Sequence, residues 1–519
     1  MMGVRAAIYA ALFYLVSATQ GLTQDVTLKS RDSSIVISGT LLGFDGEFYR
    51  VETVYGELTV DGSGVLCEGP GCPSLTDFVA DLEVSGSATI GEVLMPALIE
   101  GFALRHGYVS TRVAKSPTEF AYELRHRGSN RLQARFHFRI TNTDEGFADL
   151  LADEADMVMS LREIRPSEVA LAQEAGLGDL QGANRSRVIA LDALVPVVAA
   201  SNPVNEITLG NLARVLSGQV ANWAQLGGPD APITVYMRDD ASGLSQAIED
   251  RVLRPVSASL VTEASRHETN AALARAISRD PFGLGIVSFS ETGNAKPLAL
   301  TGPCGFALRP TRRTIKTEDY PLTAPLFIYL PARRLPLVAR DFLTFTRSAP
   351  AQIVIRRAGF VDQAPEELPI NLQGDRFANA ISVAESAGGL KELKRMVDVL
   401  GPMKRLTTSF RFEPGSVRLD AQSRSNVQQL ARSLETGQYD ARRMVFVGFS
   451  DGDGPAAANM GIAERRADAV RASVVEAAET ANFNQMDIEV TAFGEAMPMA
   501  CDNTGWGRQV NRRVEVWLE

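Results

Sequence analysis

The sequence is poor in metal-binding side chains and has no excess of positive charge. Among its 519 residues there are four His, four Cys and three Trp, and 62 acidic residues outnumber 52 basic ones. The His residues show neither the HxH nor the HExxH spacing of a metal site. A net charge of −10 offers no basic face for nucleic acid. We therefore expect no metal, no cofactor and no nucleic-acid partner.

Motifs that would indicate catalysis are also scarce. The chain contains no P-loop and no zinc-protease motif. Ser242, which lies in a loop of interest below, has no His close to it in the sequence. We therefore predict that the protein is a binder and not an enzyme.

Long apolar runs are confined to the start of the chain. Ala6–Val16 is a run of eleven apolar residues, and the following Ser17–Gly21 is small and polar. This order is typical of a secretory signal, and eleven residues are too few for a bilayer span, which takes about 20. We predict a signal peptide over residues 1–24 and a mature chain without a transmembrane helix. Because the first cysteine is Cys67, we expect no lipoprotein anchor.

Export makes disulfides possible. Cys67 and Cys72 bracket the turn sequence Glu-Gly-Pro-Gly, and we predict that they form a disulfide. Cys304 and Cys501 are more than 190 residues apart. They either pair across domains or remain two buried thiols; the second reading is slightly favoured, since sequence does not give connectivity.

Hydrophobic patterning indicates that the mature chain is a multidomain α/β protein. Short alternating strands and an Asp-Gly turn indicate a small N-terminal β module with an interaction or spacer role. Alternating strands and helices then predict an α/β domain large enough for two lobes, and the last part reads β-α-β-α-β-β. The predicted ranges are 25–75 for the β module, 76–362 for the two-lobed domain, 363–395 for a linker with a helical insert, and 396–519 for the last domain.

The two-lobed domain contains segments suited to an anion. Ser85–Gly91 joins a strand to a helix through small residues, which leaves backbone N–H groups free at a helix N-terminus. Arg238–Leu244 is a second such segment, in which a guanidinium can fork onto oxyanion oxygens. Ala155–Arg162 and Thr143–Gly146 add hydroxyl and guanidinium groups.

Together these segments resemble the phosphate-binding periplasmic proteins of ABC importers, over about residues 80–362. GSATIG resembles the first oxyanion loop of that family, RDDASGL its R-x-x-x-S-G-T loop, and ADMVMSLR its A-D-I-G-x-S-S-R segment. The resemblance implies a hinge-closing protein that holds an oxyanion between two lobes. The binding residues that it implies are Thr89, Ile90, Thr143, Ser160, Arg162, Arg238, Ser242 and Gly243.

Two positions depart from the family pattern. Leu244 stands where the family has Thr, and Leu161 where it has Ser or Asp. Each departure removes a hydrogen bond worth roughly 1.5–3 kcal/mol, so the two weaken anion binding by roughly 10²–10⁴-fold. Phosphate is the first expectation, and a larger or different anion is the second.

The last domain carries a long motif. Gly448-Phe449-Ser450-Asp451 is followed by Asn459, Arg466 and then NxTxxGRxxNRRV from Asn503. This spacing resembles the OmpA C-terminal, peptidoglycan-binding domain, although Phe449-Ser450 and Ile462-Ala463 replace the usual His-Thr and Leu-Ser. The resemblance implies that Asp451 takes the ammonium of diaminopimelate and Arg466 its carboxylate. A structural salt bridge is the alternative reading of this pair. Asn459 and Arg508 complete the predicted peptidoglycan-binding set.

The sequence therefore predicts a periplasmic protein, tethered to peptidoglycan near the outer membrane, that binds phosphate or a similar oxyanion. An inner-membrane ABC permease is a candidate partner. The alternative is a structural or signalling envelope protein whose two-lobed domain recognises another ligand or a protein.

Overall fold

The computed structural model describes residues 25–74, 77–182, 184–302, 307–384, 387–413, 415–502 and 505–519. The predicted signal peptide and Cys304 lie outside these residues. Cys501 is disulfide-bonded, so the reading of Cys501 as a free buried thiol is wrong.

The N-terminal module is an antiparallel sheet of five strands in the order β4-β3-β2-β1-β5. Val26, Leu28, Tyr49 and Val51 alternate along two strands and form its small core. The predicted Cys67–Cys72 disulfide is present, with Cα atoms 5.8 Å apart. The strands are β1 (Val26–Ser30), β2 (Val36–Phe44), β3 (Phe48–Thr53), β4 (Gly56–Asp61) and β5 (Val65–Glu68).

Ion pairs connect this module to the domain that follows it. Arg334 lies 2.9 Å from Asp45 and 2.6 Å from Glu47. The same guanidinium lies 4.3 Å from the centre of the Phe48 ring, a cation–π distance. Arg340 also pairs with Glu47, so the module rests against the middle domain through at least two arginines.

The middle domain contains one large mixed sheet and a separate parallel pair, β12–β17. The sheet order is β14-β13-β15-β11-β18-β10-β6-β9-β8-β7, with β16 beside β11. The strands are β6 (Ala80–Ser87), β7 (Tyr108–Ala114), β8 (Glu119–His126), β9 (Leu132–Thr141), β10 (Met157–Ser160), β11 (Ser186–Val198), β12 (Glu206–Thr208), β13 (Thr234–Arg238), β14 (Ser265–His267), β15 (Gly283–Ser288), β16 (Lys296–Pro297), β17 (Ala299–Thr301) and β18 (Thr323–Tyr329).

The thirteen-residue strand β11 connects the two lobes of this domain. Its first part, from Ser186 to Ala193, pairs with β18 in the first lobe. Its second part, from Leu194 to Val198, pairs with β15 in the second lobe. The helices are α1 (Met95–Arg105), α2 (Thr143–Leu151), α3 (Pro166–Glu174), α4 (Leu209–Leu216), α5 (Gly243–Ile248), α6 (Asn270–Arg279), α7 (Arg312–Lys316), α8 (Leu337–Phe345) and α9 (Ala349–Arg357).

The C-terminal domain is a five-stranded sheet in the order β19-β20-β23-β21-β22 with helices against it. From β20 to β23 it follows the predicted β-α-β-α-β-β order with one additional short helix, α14, before the last strand, while β19, α10 and α11 precede β20. The strands are β19 (Glu367–Leu368), β20 (Lys404–Phe410), β21 (Arg443–Phe449), β22 (Asp487–Gly494) and β23 (Arg513–Leu518). The helices are α10 (Gly374–Val383), α11 (Ala387–Leu400), α12 (Ala421–Glu435), α13 (Ala456–Ala477) and α14 (Gly505–Asn511).

The stretch predicted as a linker, residues 363–395, is part of this last unit. Its β19 pairs with β20, and Ala380 of α10 lies in an apolar cluster with Met396 and Trp517. The predicted boundary at residue 396 falls inside α11. Pro365 and Pro369 flank β19, whereas Gly388-Gly389 lie in the first turn of α11, and apolar residues of α10 and α11 cover the C-terminal sheet.

A buried ion cluster joins the middle and C-terminal domains. Arg405 of β20 donates to both carboxylate oxygens of Asp319, at 2.7 and 3.0 Å. Its Nε also lies 3.2 Å from Glu515, a buried carboxylate that Arg376 and Arg513 contact as well. Buried charges are tolerated when they are paired in this way, and the cluster therefore holds the two domains together.

Glu318, beside this cluster, gives a testable pH dependence. Burial raises its pKa from 4.5 to about 8, so the folded protein holds a proton that the unfolded chain has released. The free energy of unfolding should therefore fall by about 1.4 kcal/mol per pH unit between about pH 5 and 8. The charged neighbours that act on Glu318 are Arg411, Asp420 and Asp319. Urea denaturation of Glu318→Gln against pH should lack this component, and an identical pH slope in both proteins would contradict the assignment.

Candidate functional sites

The first predicted oxyanion loop follows β6. Gly86 has φ +127°, and a Cβ there would overlap the carbonyl oxygen of Met159, which explains the glycine at the penultimate position of this strand. Thr89 then leads into a π-helical turn at Ile90–Leu94 that continues as α1. Ser87, between them, has a buried hydroxyl without a hydrogen-bond partner in the described part of the chain.

The second loop joins β13 to α5 in the other lobe. Arg238 is buried; its Nε donates to the His267 carbonyl at 3.1 Å, and its Nη1 donates to Asn270 Oδ1 at 2.5 Å. A guanidinium has five N–H donors, so these two bonds fix its plane. Its Nη2 lies 3.8 Å from an Asp239 carboxylate oxygen, beyond hydrogen-bond distance, and an anion in the cleft would have to compete with that carboxylate for the remaining donors. Ser242 caps α5 by accepting from the Ser245 amide at 3.1 Å.

The two loops meet across the lobes. A Cβ added to Gly243 would lie 2.9 Å from Ser87 Oγ and 3.5 Å from Leu161 Cδ1. Asn142 at the start of α2 also donates to the Ala241 carbonyl, at 3.0 Å. The structure is thus a closed form, in which a glycine is required where the second loop approaches the first.

Thr143 and the two leucines that depart from the family pattern lie at or near this contact. The Thr143 hydroxyl accepts from the Leu161 amide at 3.1 Å and retains a proton that it can donate. Leu161 faces Gly243, and both leucines are at most 5% exposed and belong to the apolar core. The departures therefore place one apolar side chain at the contact between the loops and another in the packing behind it.

Ser160 and Arg162 are occupied by local partners. The Ser160 hydroxyl donates to the Arg162 carbonyl at 2.6 Å. The Arg162 guanidinium pairs with Asp144 and with Glu168, the latter at 2.7 Å. These bonds neutralise Arg162, so the geometry favours a bracing role for it at the cleft edge.

A charged contact closes the edge of the cleft. Arg165, at the start of α3, lies 3.3 Å from Asp250 of the second lobe. Arg162 Nε is 4.0 Å from the same carboxylate. The lobes therefore contact each other through side chains outside the predicted oxyanion loops.

Arg466 of α13, in the C-terminal domain, is a predicted binding residue that is buried and forms no salt bridge within the described part of the chain. It is 6% exposed, its Nε has no hydrogen-bond partner among the described residues, and it lies 5.1 Å from the Phe412 ring centre. Burial lowers its pKa, and Asp451 partly opposes that shift. Asp451 itself lies 3.3 Å from Arg512. The alternative reading, a structural salt bridge between Asp451 and Arg466, is therefore not observed, and Asp451 pairs with Arg512 instead.

The remaining members of this predicted set brace the loop. Asn459 donates to Glu495 at 3.2 Å, and Arg508 donates to the Asp502 carbonyl at 2.6 Å. Gly448 permits α13 to approach β21, because a Cβ there would overlap the Ala463 carbonyl oxygen. Residues 503–504 of the motif lie outside the described residues.

The segment Gly448–Gly452 also fits G-x-S-x-G, the pattern of a hydrolase nucleophile turn, which the sequence analysis missed. All four His residues lie before residue 268, and Ser450 has a buried hydroxyl without a partner in the described part of the chain. A Ser-His triad would need an imidazole beside that hydroxyl. Because the Ser450 hydroxyl has no hydrogen-bond partner in the described part of the chain, this turn holds no Ser-His pair there.

Sequence reasoning missed other residues of these sites. Ser87 lies within the first oxyanion loop, but no role was predicted for it. Asn270, which orients Arg238, is 32 residues away from it in the sequence. Arg512 lies inside the C-terminal motif, where spacing alone did not distinguish it from its neighbours. The positions of Ser87 and Arg512 inside the two motifs could have indicated these residues, whereas the role of Asn270 could be recognised only from the fold.

Two family profiles match the chain. Residues 122–349 match one described as a PBP superfamily domain, and residues 411–512 match the OmpA family. The fold and the sites thus define a binding-protein-like α/β domain followed by an OmpA domain. This result confirms the predicted fold class and both resemblances.

The relatives of the middle domain are binding proteins rather than enzymes. The phosphate-binding protein PstS of Borreliella burgdorferi is 27% identical over 35% of this chain and 66% of its own length. Protein SphX of Synechococcus elongatus is 29% identical over 43% of this chain and 67% of its own length. The chain thus spans about two thirds of the length of these relatives. The structure of an ABC-type phosphate transport receptor from Vibrio cholerae is 20% identical, with a TM-score of 0.41, over 54% of this chain and 99% of that one.

The described residues hold no cluster of three or more metal-ligating side chains. Of the helices in that same part of the chain, none combines the length and the apolar character that crossing a bilayer requires. Both matched families are associated with the cell envelope.

Proposed function

We propose that the middle domain binds phosphate or a similar oxyanion between its lobes. The observation that carries this proposal is the contact of the two loops, where the unpartnered Ser87 hydroxyl faces Gly243. A buried hydroxyl without a partner costs about 1–3 kcal/mol, and an anion oxygen would satisfy it. Arg238 supplies the positive charge, held in place by His267 and Asn270.

The anion must also overcome unfavourable terms. The net charge of the chain is −10, but distant charges are damped over about 8 Å at physiological salt, and short bonds in a closed cleft are little screened. Leu161 at the cleft offers no hydrogen bond. We therefore propose phosphate as the first ligand to test, with weaker binding than a fully polar cleft would give.

Calorimetric titration of the exported chain tests this proposal. The protein is first stripped of bound ligand by mild unfolding and refolding, and is then titrated separately with phosphate, sulfate and methylphosphonate. We expect the strongest binding with phosphate. Absence of heat with all three anions would contradict an oxyanion site.

We further propose that the C-terminal domain anchors the chain to peptidoglycan through diaminopimelate. The free end of that residue carries an ammonium and a carboxylate. Arg466, buried and without an ion pair in the described part of the chain, suits the carboxylate, and Asp451 suits the ammonium. The orphaned Nε of Arg466 supports this assignment, since a ligand carboxylate would satisfy it.

Replacing either residue should abolish wall binding. Arg466→Ala and Asp451→Ala should leave the exported chain in the supernatant when isolated sacculi are pelleted, whereas the wild type should pellet. Arg471→Ala on the same helix is the matched control, because Arg471 is exposed beside Asp468. The full chain is used because α11 packs onto the C-terminal sheet. Equal pelleting of all four proteins would refute the anchoring role.

The two activities together suggest a periplasmic protein held at the wall, exported by the signal peptide predicted over residues 1–24. An inner-membrane ABC permease is the proposed recipient of the anion, and attachment to peptidoglycan would keep the protein near the outer membrane.

A second candidate function is structural or signalling, with another ligand or a protein partner for the middle domain. The lobes contact each other through Arg165 and Asp250, outside the proposed oxyanion loops, and Leu161 faces the second loop. Contacts between protein groups therefore contribute to holding the lobes together, which favours this alternative. Failure of all three anions in the titration would support this alternative.

A further inference from the structure

A cavity of about 350 Å³ lies between the middle and C-terminal domains. It shares none of its described lining residues with the two sites above, and its size is within the range of about 300–1,000 Å³ that small-molecule sites occupy. The middle domain lines it from around α8 and α9, and the C-terminal domain lines it from α12. The polar residues that these elements contribute include Thr346, Arg347, Gln352, Ser425, Gln428 and Arg432.

Positive charge is concentrated at this cavity. Arg347 and Arg432 line it, and no Asp or Glu does so among the described residues. Burial and the charges of Arg187 and Arg432 lower the pKa of Arg347. No carboxylate of the described chain forms a salt bridge with any of these three guanidinium groups, although Glu435 lies near enough to favour the charge on Arg432. Arginine nevertheless remains protonated in proteins, so the three charges persist and repel one another.

Unpartnered polar atoms are a second observation at the same place. Gln363 lines the cavity, and its buried Oε1 has no hydrogen-bond partner among the described residues, although its amide donates to the Val188 carbonyl at 2.9 Å. Arg187 does not line the cavity, but it lies close enough to Arg347 to lower the pKa of that residue, and its buried Nε has no hydrogen-bond partner in the described part of the chain. Buried polar groups normally have partners, so these atoms indicate an occupant that can both donate and accept hydrogen bonds.

We propose that this cavity binds a multiply charged anion larger than orthophosphate, with its charge on linked phosphoryl or carboxyl groups. Such groups accept bidentate hydrogen bonds from guanidinium, and two or more negative charges would neutralise a cluster that a monoanion leaves positive. Serine hydroxyls and glutamine N–H groups of the lining can donate to the oxygens of such a ligand, whereas Gln363 Oε1 can only accept, from a hydroxyl of the ligand or a bridging water. Because both domains contribute to the wall, the bound anion stabilises their docked arrangement.

Titration of the full exported chain with inorganic triphosphate and, separately, with citrate tests the proposal. Both experiments are run with orthophosphate in excess, so that the cleft between the lobes is already saturated. Arg432 is exposed, and Arg432→Gln is therefore expected to fold; it should weaken binding about tenfold or more, since it removes a charge-assisted hydrogen bond. Arg347→Gln should do the same, and Arg471→Gln, outside the cavity, should have no effect.

Binding of triphosphate alone assigns the site to phosphoryl groups, and binding of citrate alone assigns it to carboxyl groups; either result supports the proposal if Arg432→Gln weakens it. Binding of both supports recognition by charge. Absence of heat with both ligands would overturn the proposal, as would binding that survives Arg432→Gln and Arg347→Gln unchanged. A failure of phosphate to bind between the lobes leaves this test intact, because the two sites share no residue.

Discussion

Arg238→Ala should weaken phosphate binding by roughly 10²–10⁴-fold, the largest effect of any single change in the cleft. The guanidinium is the charge that the second loop contributes, and each hydrogen bond to a charged group is worth roughly 1.5–3 kcal/mol. Ser242→Ala and Thr89→Ala should each cost less, because they remove a hydroxyl and leave the counter-charge in place. Isothermal titration with phosphate measures all three variants.

The control is Arg214→Ala, which changes an exposed arginine of α4 whose partner is Asn211. It should bind phosphate like the wild type. Circular dichroism separates loss of binding from loss of fold, since Arg238 is buried and also bonds to His267 and Asn270. A folded Arg238→Ala protein that binds phosphate no more weakly than Ser242→Ala would contradict the role given to Arg238.

Arg405→Ala should destabilise the chain by about 3–5 kcal/mol, since it breaks a buried ion pair and leaves an uncompensated carboxylate. Asp319 would lose both of its hydrogen bonds from Arg405, and its pKa, now lowered by that guanidinium against the effect of burial, would rise. The middle and C-terminal domains would also lose their main charged contact. The midpoint of urea denaturation measures the effect.

Arg443→Ala serves as the comparison for this change. Arg443 pairs with Glu489 and Glu519 at 2.9 Å in both cases, but the three side chains are 36–49% exposed. Surface ion pairs contribute only about 0–1 kcal/mol, so this variant should unfold close to the wild type. Similar midpoints for Arg405→Ala and Arg443→Ala would show that the buried cluster does not hold the domains together.

The loops of both sites could be predicted because their residues are close together in the sequence. A strand followed by small residues and a helix predicts a set of free backbone N–H groups, and the structure has this arrangement after β6 and after β13. The spacing from Asp451 to Arg466 follows from a strand, a turn and the first turns of α13. The geometry of such motifs is determined by residues that are consecutive in the sequence, so it can be predicted from the sequence.

The partners of these side chains could not be predicted in the same way. Arg162 matches a binding motif, yet it is neutralised by Asp144 and Glu168. Asp451 was matched to Arg466 by spacing, whereas its contact in the structure is Arg512. Such choices depend on which charged groups tertiary packing brings within about 4 Å, and sequence distance contains little of that information.

Domain limits were harder to predict than motifs. Pro365, Pro369 and the Gly388-Gly389 pair suggested a linker, but the glycines lie within α11, and α10 and α11 cover the C-terminal sheet. Apolar residues such as Leu393 and Met396 show helical periodicity without indicating what the helix packs against. The exact range of each domain therefore stays a prediction.

One measurement tests both halves of the proposed function together. Stripped protein is mixed with radiolabelled phosphate and isolated sacculi, and the label and the protein in the pellet are counted. The wild type should carry both into the pellet, Arg238→Ala should pellet without label, and Arg466→Ala should leave both in the supernatant. Label that stays in the supernatant while wild-type protein pellets, or wild-type protein that fails to pellet at all, would contradict an oxyanion-binding protein tethered to the wall.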